Sequence, residues 1–448
     1  MIDNEKELIE KARRPMAESA RLHAFYRGKI ETSLKCRIRD FDDFALWYSP
    51  GVAQPCLDIC GNKELVYKYT NKWNTIAVIS DGTRVLGLGD IGPEAAMPVM
   101  EGKALLYKYL GGVDAVAVCL DTKDPDEFVR TVKILQPSFG GINLEDIASP
   151  KCFDILERLR NECHIPVWHD DQQGTAAVVL AALINALRVV DKGMSAVNIA
   201  MVGAGASNIR IAHLIILAGA DPGNIIMCDS RGILNKQRSD LRETNREKWD
   251  MCTSTNSRNI SGNIADMVKG ADVLIALSKP GPGVIKKEWI AEMAEDAVVF
   301  ACANPVPEIW PWEAKEAGAR IVATGRSDFP NQVNNSLVFP AIFRGALDVM
   351  ASRITDTMCI AAAYELADYA RKKGLSEEYI IPAMDETDVF ISEAVAVGMK
   401  AIEEGLARQK MTRDELFARA GSIINRSREQ TRLMMDNGII KDESDTGV

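Results

Sequence analysis

The chain has 448 residues, of which 47% are hydrophobic and 26% are charged, and its formal net charge is −10. This composition is typical of a globular protein with two or three domains. The acidic balance and the lack of a basic block exclude nucleic acid and anionic membrane surfaces as expected partners. The charged first residues contain no secretory signal, and no apolar run is long enough to span a membrane, so we expect a cytoplasmic protein.

The N-terminal part contains two candidate catalytic side chains. Residues 1–30 have a helical pattern, and Tyr48 then precedes a Ser-Pro-Gly turn. A tyrosine at such a turn is usually half-buried packing, so a catalytic phenol needs further support. Residues 75–91 are predicted to form a hairpin of two strands around an Asp-Gly-Thr turn. In the next predicted helix, at 95–109, Lys103 lies in the apolar part, where burial would lower its pKa and make it a usable base.

Two consecutive predicted strands each end in a pair of carboxylates. The first pair is Glu145 and Asp146, and the second is Asp170 and Asp171, which precede a long apolar helix at 176–190. Ligands of α/β sheets bind at the carboxyl ends of strands, so neighbouring ends would form an oxygen-rich site suited to Mg²⁺ or Mn²⁺. The alternative interpretation is that the second pair caps the helix and complements its dipole. Both interpretations stay open on these residues alone.

A strand, a glycine turn and a helix then follow in the order of the dinucleotide-binding fingerprint. Gly203 and Gly205 lie in the turn after a strand at 195–202, and the next strand ends in Asp229. The third fingerprint position is Asn208 instead of glycine, which departs from the motif. An acidic side chain at the second strand tip accepts the ribose hydroxyls of NAD.

Basic residues near this strand tip leave the choice of cofactor open. Arg231, Lys236 and Arg238 would neutralise the 2′-phosphate of NADP. The ten cysteines of the chain are scattered, and none forms a C-x-x-C pair. We therefore expect mostly buried, reduced thiols and no thiolate metal site.

Three further strands and a run of helices complete the predicted organisation. The sequence predicts an α/β fold with an N-terminal α/β substrate and metal domain at 1–165. A Rossmann-type, doubly wound dinucleotide-binding domain follows at 166–345. Residues 346–448 are predicted to be C-terminal helices that pack back on the other domains.

This set of motifs resembles the malic enzymes, specifically the short form without an appended acyltransferase domain. The motifs cover essentially the whole chain and are WYSPGVAQPC, DGTRVLGLGDIG, EGKALLYK, INLEDI, HDDQQGTAAV, VGAGAS, ANPVPEIWP and ATGRSDFPNQVNNSLVFPAIFRGALD. The resemblance implies oxidative decarboxylation of L-malate to pyruvate and CO₂, with NADP or NAD and with Mg²⁺ or Mn²⁺. It also implies a homodimer or higher homo-oligomer, with neither a nucleic acid nor a membrane as partner.

The resemblance also implies a role for each matching residue. Glu145, Asp146 and Asp171 would be metal ligands, and Asp170 would support them. Lys103 would be the general base and Tyr48 the general acid. Substrate would be held by Arg84, Asn304 and Asn335, with Asn334 beside them. The cofactor would be bound by Gly203, Gly205, Ala206, Ser207, Asp229 and Asn304.

Two other functions are compatible with the fold. One is an NAD(P)-dependent hydroxy-acid or amino-acid dehydrogenase without a metal, which would not need the two carboxylate pairs. The other is a dinucleotide-binding sensor without catalysis, which would not need Tyr48 or Lys103.

Overall fold

The first of two sheets is parallel throughout. The computed structural model of the chain describes residues 15–16 and 18–442. The strand order in this sheet is β2-β1-β3-β4. Its strands are β1 (Thr75–Ser80), β2 (Asp114–Cys119), β3 (Gly141–Leu144) and β4 (Val167–His169).

The second sheet has six strands in the order β10-β9-β8-β5-β6-β7. All neighbours are parallel except the pair β6 and β7 at one edge. The strands are β5 (Ile199–Val202), β6 (Ile225–Asp229), β7 (Gly232–Ile233), β8 (Val273–Ala276), β9 (Val298–Ala301) and β10 (Ile321–Thr324). Strands β5, β8, β9 and β10 are buried along their whole length, as strands covered on both faces must be.

Helices surround both sheets. The helices that precede β5 in the chain and lie before or between the strands of the first sheet are α1 (residues 18–26), α2 (Asp43–Trp47), α3 (Ala53–Gly61), α4 (Val66–Tyr69), α5 (Pro93–Gly111), α6 (Pro125–Leu135) and α7 (Lys151–Glu162). Those of the second half are α8 (Thr175–Val189), α9 (Ala206–Leu217), α10 (Arg246–Ser254), α11 (Ile264–Val268), α12 (Lys287–Ile290) and α13 (Pro311–Glu316). The last four are α14 (Phe339–Asp348), α15 (Asp356–Lys373), α16 (Val389–Glu403) and α17 (Arg413–Asp436).

Helix α8 lies at the centre of the molecule. Its sequence, TAAVVLAALINALRV, is apolar on every face, and residues 176–187 are all buried. A helix without a polar face cannot lie at a surface, so the sheets and the C-terminal helices enclose it. One continuous hydrophobic core therefore runs from β1 through α8 to β5 and α16.

Most predicted elements are confirmed, but the predicted hairpin at 75–91 is wrong. Residues 81–92 contain only an isolated bridge between Val85 and Gly89. Strand β1 already pairs with β2 on one side and β3 on the other, so it has no free edge for a returning strand. The Asp81 side chain instead accepts hydrogen bonds from the backbone and the hydroxyl of Thr83 and closes a local turn.

The N-terminal helix prediction and the cysteine prediction are confirmed only in part. Within 1–30, residues 15–16 and 18–26 are helical, and 1–14 and 17 lie outside the described residues. All ten cysteines are free, and six of them are buried. Cys56 and Cys60, on α3, are exposed. The prediction of unpaired thiols is thus confirmed, but the prediction that they are buried is wrong for the two cysteines on α3.

The predicted domain boundaries fall close to two structured segments. Strand β4 lies beyond residue 165, yet it pairs with β3 of the first sheet. Helix α14 crosses position 345. The three C-terminal helices α15, α16 and α17 pack against α8, α14 and α5 and contribute to the common core.

Candidate active site

The turn between β4 and α8 carries two aspartates. Residues Asp170–Gly174 form a single π-helical turn, and Asp170 is fully buried. Its carboxylate accepts hydrogen bonds from Lys103 Nζ and from Trp168 Nε1, the latter at 3.3 Å. A Cβ atom at Gly174 would lie 1.9 Å from Asp170 Oδ1, so the turn needs glycine there. Both aspartates lie in the first turn of this segment, where they complement the helix dipole, but neither makes a side-chain cap hydrogen bond, so the helix-cap interpretation is confirmed only in part.

A second acidic pair lies beside this turn, at the end of β3. Glu145 and Asp146 are 2% and 3% exposed. Strands β3 and β4 are neighbours, with Leu144 opposite His169, so both pairs reach the same sheet edge. The Asp146 backbone N–H donates to Asp171 Oδ2 at 2.8 Å. One carboxylate oxygen each of Glu145, Asp146 and Asp171 lies within 4.8 Å of the others; these three residues are the acidic cluster.

The acidic cluster contains more buried negative charge than its neighbours compensate. Burial and the nearby Asp171 raise the pKa of Asp146 to about 8. Burial raises the pKa of Glu145 well above its ordinary value, although Lys103 opposes the shift. Asp146 Oδ2 is buried without a hydrogen-bond partner among the described residues. An all-oxygen group of this kind fits a hard divalent cation such as Mg²⁺ or Mn²⁺.

Lys103 projects from α5 into the carboxylates. Its Nζ donates to Asp170 and lies 3.1 Å from Glu145 Oε1 and 4.5 Å from the ring centre of Phe339. Burial lowers the pKa of Lys103, but the carboxylates outweigh it and raise the pKa above its ordinary value. The prediction that burial leaves this lysine with a lowered pKa is therefore wrong for this constellation. Burial would lower the pKa of Lys103 only if another positive charge compensated these carboxylates.

Three other predicted substrate residues lie around the cluster. The exposed Arg84 donates its backbone N–H to the Asp146 carbonyl at 3.0 Å. Asn335 is half-buried, and its Cβ lies 3.3 Å from the position of a Cβ at Gly174. Asn304 is exposed between the Gly87 loop and the Gly325 loop. Asn334, beside Asn335, has a local role, because its side chain accepts from Ser336 N at 2.9 Å.

The structure shows Tyr48 as an exposed side chain without a hydrogen bond to the acidic cluster. It follows α2, and its side chain is 74% exposed. Across residues 15–16 and 18–442, the Tyr48 hydroxyl makes no hydrogen bond. Among the described residues, no hydrogen bond therefore joins the two predicted catalytic side chains.

The dinucleotide turn connects directly to the acidic turn. Gly203, with φ of 99°, reverses the chain after β5, and a Cβ there would lie 2.5 Å from Leu277 O. Gly205 is the N-cap of α9, so the first amides of that helix, from Ala206, face the turn. Ser207 Oγ donates to Asp171 O at 2.8 Å. Asn208 Nδ2 donates to Val202 O and Gly203 O, so its side chain fastens the turn in place of a third glycine.

Asp229, at the tip of β6, is already paired. Arg238 Nη1 and Lys248 Nζ each lie 3.0 Å from its carboxylate, and Arg231 N donates to it at 2.9 Å. Burial raises the pKa of Asp229, but these donors outweigh it and lower the pKa to about 2. Sequence analysis missed Lys248, which no spacing rule connects to the strand tip.

Glu308 is a second residue that sequence analysis missed. It is fully buried and accepts hydrogen bonds from Ser278 N at 2.9 Å and from Ala303 N at 3.0 Å. It thereby joins the loops that follow β8 and β9, the second of which carries Asn304. The residue stands inside the ANPVPEIWP motif, but its sequence position alone gives no indication of the two contacts.

Comparison with known proteins shows similarity to malic enzymes over most of the chain. The family model "Malic enzyme, N-terminal domain" matches residues 27–160, and "Malic enzyme, NAD binding domain" matches residues 172–402. The bifunctional malic/malolactic enzyme of Bacillus subtilis is 49% identical over 399 residues, 89% of this chain and 96% of that protein. An NADP-dependent malic enzyme of Halomonas elongata is 43% identical over 85% of this chain and 92% of that protein.

Solved structures agree with the sequence relatives. The crystal structure of Entamoeba histolytica malic enzyme superposes with a TM-score of 0.94 at 49% identity, covering 97% of this chain and 90% of that one. No described helix has the length and apolar character needed to cross a membrane.

Proposed function

The chain belongs to the malic enzyme family, and from this premise we propose that it oxidatively decarboxylates L-malate to pyruvate and CO₂ while reducing NAD or NADP. The observation that carries the proposal is the acidic cluster with Lys103 against it, placed where the dinucleotide turn meets the first sheet. A sensor without catalysis would not need a buried lysine among carboxylates. A metal-independent dehydrogenase would not need the cluster.

We propose Glu145, Asp146 and Asp171 as the ligands of Mg²⁺ or Mn²⁺. The unpartnered Asp146 Oδ2 and the raised pKa of Asp146 both indicate that a positive charge belongs there. A divalent cation supplies Lewis-acid polarisation of the malate C2 oxygen and, later, of the keto oxygen. The Asp170 carboxylate accepts a hydrogen bond from Lys103, so we do not propose Asp170 as a metal ligand.

Lys103 is the proposed base for the C2 hydroxyl proton. Its position at 3.1 Å from Glu145 Oε1 puts its amine beside the proposed metal ligands, where the hydroxyl of malate has to lie. Once a cation compensates the carboxylates, burial lowers the pKa of the amine and permits it to accept a proton. A bound nicotinamide would accept the hydride from C2, and Asp170 holds the Lys103 amine in place through its hydrogen bond. Tyr48 is the proposed acid that protonates C3 after CO₂ has left.

The remaining polar residues orient substrate and cofactor. Arg84 is the proposed partner of a malate carboxylate, and Asn304 and Asn335 provide uncharged amides for the substrate or the nicotinamide amide. Gly203, Gly205, Ala206 and Ser207 form the proposed pyrophosphate site at the N-terminus of α9. Asp229 is proposed to contact the adenosine ribose.

The proposed location is the cytoplasm, and the ten unpaired cysteines support a reducing compartment. The predicted division into domains at 1–165, 166–345 and 346–448 remains our proposal.

Malate-dependent reduction of NAD or NADP, followed by absorbance at 340 nm with Mn²⁺, tests the reaction. We expect activity that disappears on thorough chelation with EDTA and returns with Mn²⁺ or Mg²⁺. Activity that chelation leaves unchanged would favour the metal-independent dehydrogenase. Dinucleotide binding without any malate turnover would favour the sensor.

A further inference from the structure

The middle of strand β3 carries a buried amide side chain. Asn143 is fully buried and lies between Ile142 and Leu144, which both belong to one hydrophobic core. Because side chains alternate along a strand, Asn143 faces the opposite side of the sheet, towards helix α5. A buried amide costs free energy unless its polar groups find hydrogen-bond partners, so the contacts of Asn143 show why an amide occupies this position.

Asn143 connects a buried tyrosine to one residue of the acidic cluster. Asn143 Nδ2 donates to Glu145 Oε2 at 3.0 Å, and the hydroxyl of Tyr107, on α5, donates to Asn143 Oδ1 at 3.0 Å. An ionised carboxylate only accepts hydrogen bonds, so the amide nitrogen has to face Glu145, and the amide oxygen is left to accept from the phenol. We call Tyr107 and Asn143 the support pair.

The tyrosine of the support pair is itself held by aromatic packing. The ring centre of Tyr107 lies 4.6 Å from that of Phe339 and 5.4 Å from that of Phe343. Tyr107 follows Lys103 by one turn of α5, so the two side chains project from the same face of the helix. Phe339 contacts both, since its ring centre lies 4.5 Å from Lys103 Nζ. The proposed base and the support pair therefore belong to one packed unit.

Strand β4 repeats this arrangement for the second pair of carboxylates. Trp168 lies opposite Asn143 in the parallel register, and its Nε1 donates to Asp170 Oδ1 at 3.3 Å. In each strand the donor therefore lies two residues before the carboxylate that it holds. Asp170 uses its other oxygen to accept from Lys103, and the other oxygen of Glu145, Oε1, lies 3.1 Å from Lys103 Nζ. Each carboxylate thus has one oxygen held from behind and one directed at the lysine.

From these contacts we infer that Asn143, supported by Tyr107, determines how Glu145 binds the metal. The Asn143 donor occupies Oε2, so Glu145 offers the cation one oxygen, Oε1. A carboxylate restricted to one oxygen suits the small octahedral sites of Mg²⁺ and Mn²⁺, whereas Ca²⁺ takes about 6–8 oxygens and often both oxygens of a carboxylate. The support pair therefore consists of positioning residues that favour the smaller cations over Ca²⁺. The inference rests on the proposed function, because Glu145 is a proposed metal ligand there.

Direct measurement of cation binding tests the inference without malate turnover. Asn143→Leu keeps the approximate size of the side chain and removes its donor, and Tyr107→Phe removes only the hydroxyl. Loss of a hydrogen bond behind a metal ligand costs about 10- to 100-fold in metal affinity, so Asn143→Leu should raise the Mn²⁺ dissociation constant by that factor. Tyr107→Phe loses a neutral hydrogen bond and should raise the same constant about 2- to 10-fold. Electron paramagnetic resonance of Mn²⁺ measures both.

Competition with Ca²⁺ distinguishes altered selectivity from general weakening. Ca²⁺ displaces Mn²⁺ in the same titration, and the ratio of the two dissociation constants is compared between variants. With Oε2 released, Glu145 offers both oxygens, so Asn143→Leu should weaken Ca²⁺ binding less than Mn²⁺ binding. The double variant with Tyr107→Phe should bind Mn²⁺ as Asn143→Leu alone does, because the tyrosine acts through the amide.

Two matched controls remove the same kinds of contact elsewhere in the molecule. Asn185→Leu removes a buried amide of α8 that donates to Ala367 O and Ile380 O. Tyr379→Phe removes a hydroxyl that donates to the Glu386 carboxylate at 3.0 Å. Both controls should keep the wild-type Mn²⁺ dissociation constant and the wild-type preference for Mn²⁺ over Ca²⁺, whatever they cost in thermal stability.

Several results would overturn the inference. They are wild-type Mn²⁺ affinity in Asn143→Leu, an unchanged preference for Mn²⁺ over Ca²⁺ in that variant, and an equal loss of Mn²⁺ affinity in Asn185→Leu. If Asn143→Leu does not fold, Tyr107→Phe decides alone, and wild-type Mn²⁺ affinity there would overturn the inference.

Failure of the proposed function gives a different result. A wild-type protein that binds Mn²⁺ but does not turn over malate would contradict the proposed reaction and leave the role of the support pair standing. A wild-type protein with metal-dependent malate turnover, in which Asn143→Leu leaves cation binding unchanged, would overturn the inference alone.

Discussion

The Ser207 hydroxyl donates a hydrogen bond of 2.8 Å to the backbone carbonyl of Asp171. Ser207 lies in the first turn of the dinucleotide helix α9, and Asp171 belongs to the acidic cluster. One bond therefore connects the proposed pyrophosphate site to the proposed metal site. We therefore expect binding of the dinucleotide and binding of the metal to affect each other through this bond.

Removing this bond should weaken both sites together. A hydrogen bond of this kind contributes about 0.5–1.5 kcal/mol, so Ser207→Ala should raise the dissociation constant of the dinucleotide about 2- to 10-fold. The apparent Mn²⁺ activation constant should rise in the same variant. Steady-state kinetics with each component varied in turn measures both constants. An effect on the dinucleotide alone would show that the bond does not couple the sites.

Replacement of Lys103 should remove the chemical step and leave binding intact. Proton transfer by a positioned side chain contributes about 10²–10⁴-fold, so Lys103→Ala should lose malate turnover by that factor. Dinucleotide binding, followed by fluorescence, should stay within a few-fold of the wild type. Lys108→Ala, further along α5 at a partly exposed ion pair with Asp114, is the matched control. Near-normal kcat in Lys103→Ala would contradict the assignment.

Substitutions of the two aspartates in the turn, Asp170 and Asp171, should have different effects on Mn²⁺ binding and on kcat. Asp171→Asn should weaken Mn²⁺ binding at least about 10-fold, because an amide is a weaker ligand than a carboxylate. Asp170→Asn should leave the Mn²⁺ dissociation constant nearly unchanged and lower kcat, since Asp170 contacts Lys103. A direct Mn²⁺ titration by electron paramagnetic resonance measures the first quantity. If Asp170→Asn weakens Mn²⁺ as much as Asp171→Asn does, the two roles have been assigned the wrong way round.

The ion pairs of Asp229 should stabilise the fold in a defined pH range. The pKa of this carboxyl is lowered to about 2 from its model-peptide range near 4, so its contribution is complete above pH 4 and is lost as pH falls towards 2. Asp229→Asn should lose about 1–2 kcal/mol of unfolding free energy at pH 7, with the difference from wild type shrinking below pH 4. Urea unfolding at several pH values measures it. A difference that grew on acidification would contradict the role of Arg238 and Lys248.

Substitution of Glu308 should change dinucleotide binding, because Glu308 holds the loops that follow β8 and β9. Glu308→Ala leaves Ser278 N and Ala303 N without their acceptor, which costs about 1–3 kcal/mol for each buried donor. We expect a raised KM for the dinucleotide with little change in the Mn²⁺ dissociation constant. Glu308→Gln keeps one acceptor and should recover part of the loss. Equal loss of metal binding and dinucleotide binding would indicate general unfolding instead of loop positioning.

Much of the fold followed from local pattern. The period of apolar residues predicts the buried strands and the central helix α8, and strand ends predict where Glu145 and Asp171 converge. The pattern around Asp81 also fits a hairpin, and only the pairing of β1 on both edges rules that out. Strand pairing is a property of the whole sheet, so no local pattern contains it.

The chemistry of the site was less accessible to sequence reasoning. The pKa of Lys103 depends on three carboxylates from two other strand ends, which outweigh the burial that the helix pattern predicts. The partners Lys248 of Asp229 and Ser278 of Glu308 are 19 and 30 residues away in the chain. The exposure of Tyr48 depends on how residues 37–61 pack, which its turn motif does not encode.

The full burial of α8 also determines which parts of the site are free to move. A hinge needs backbone that is free to change its torsion angles, and residues 176–187 are all buried. The acidic turn is continuous with this helix, so it belongs to the stationary part of the enzyme. We therefore expect a closing motion over malate to use exposed loops, such as those around residues 279–283 and 304–305. Changes in the length or sequence of these loops should alter turnover rates while leaving the affinity for Mn²⁺ nearly constant.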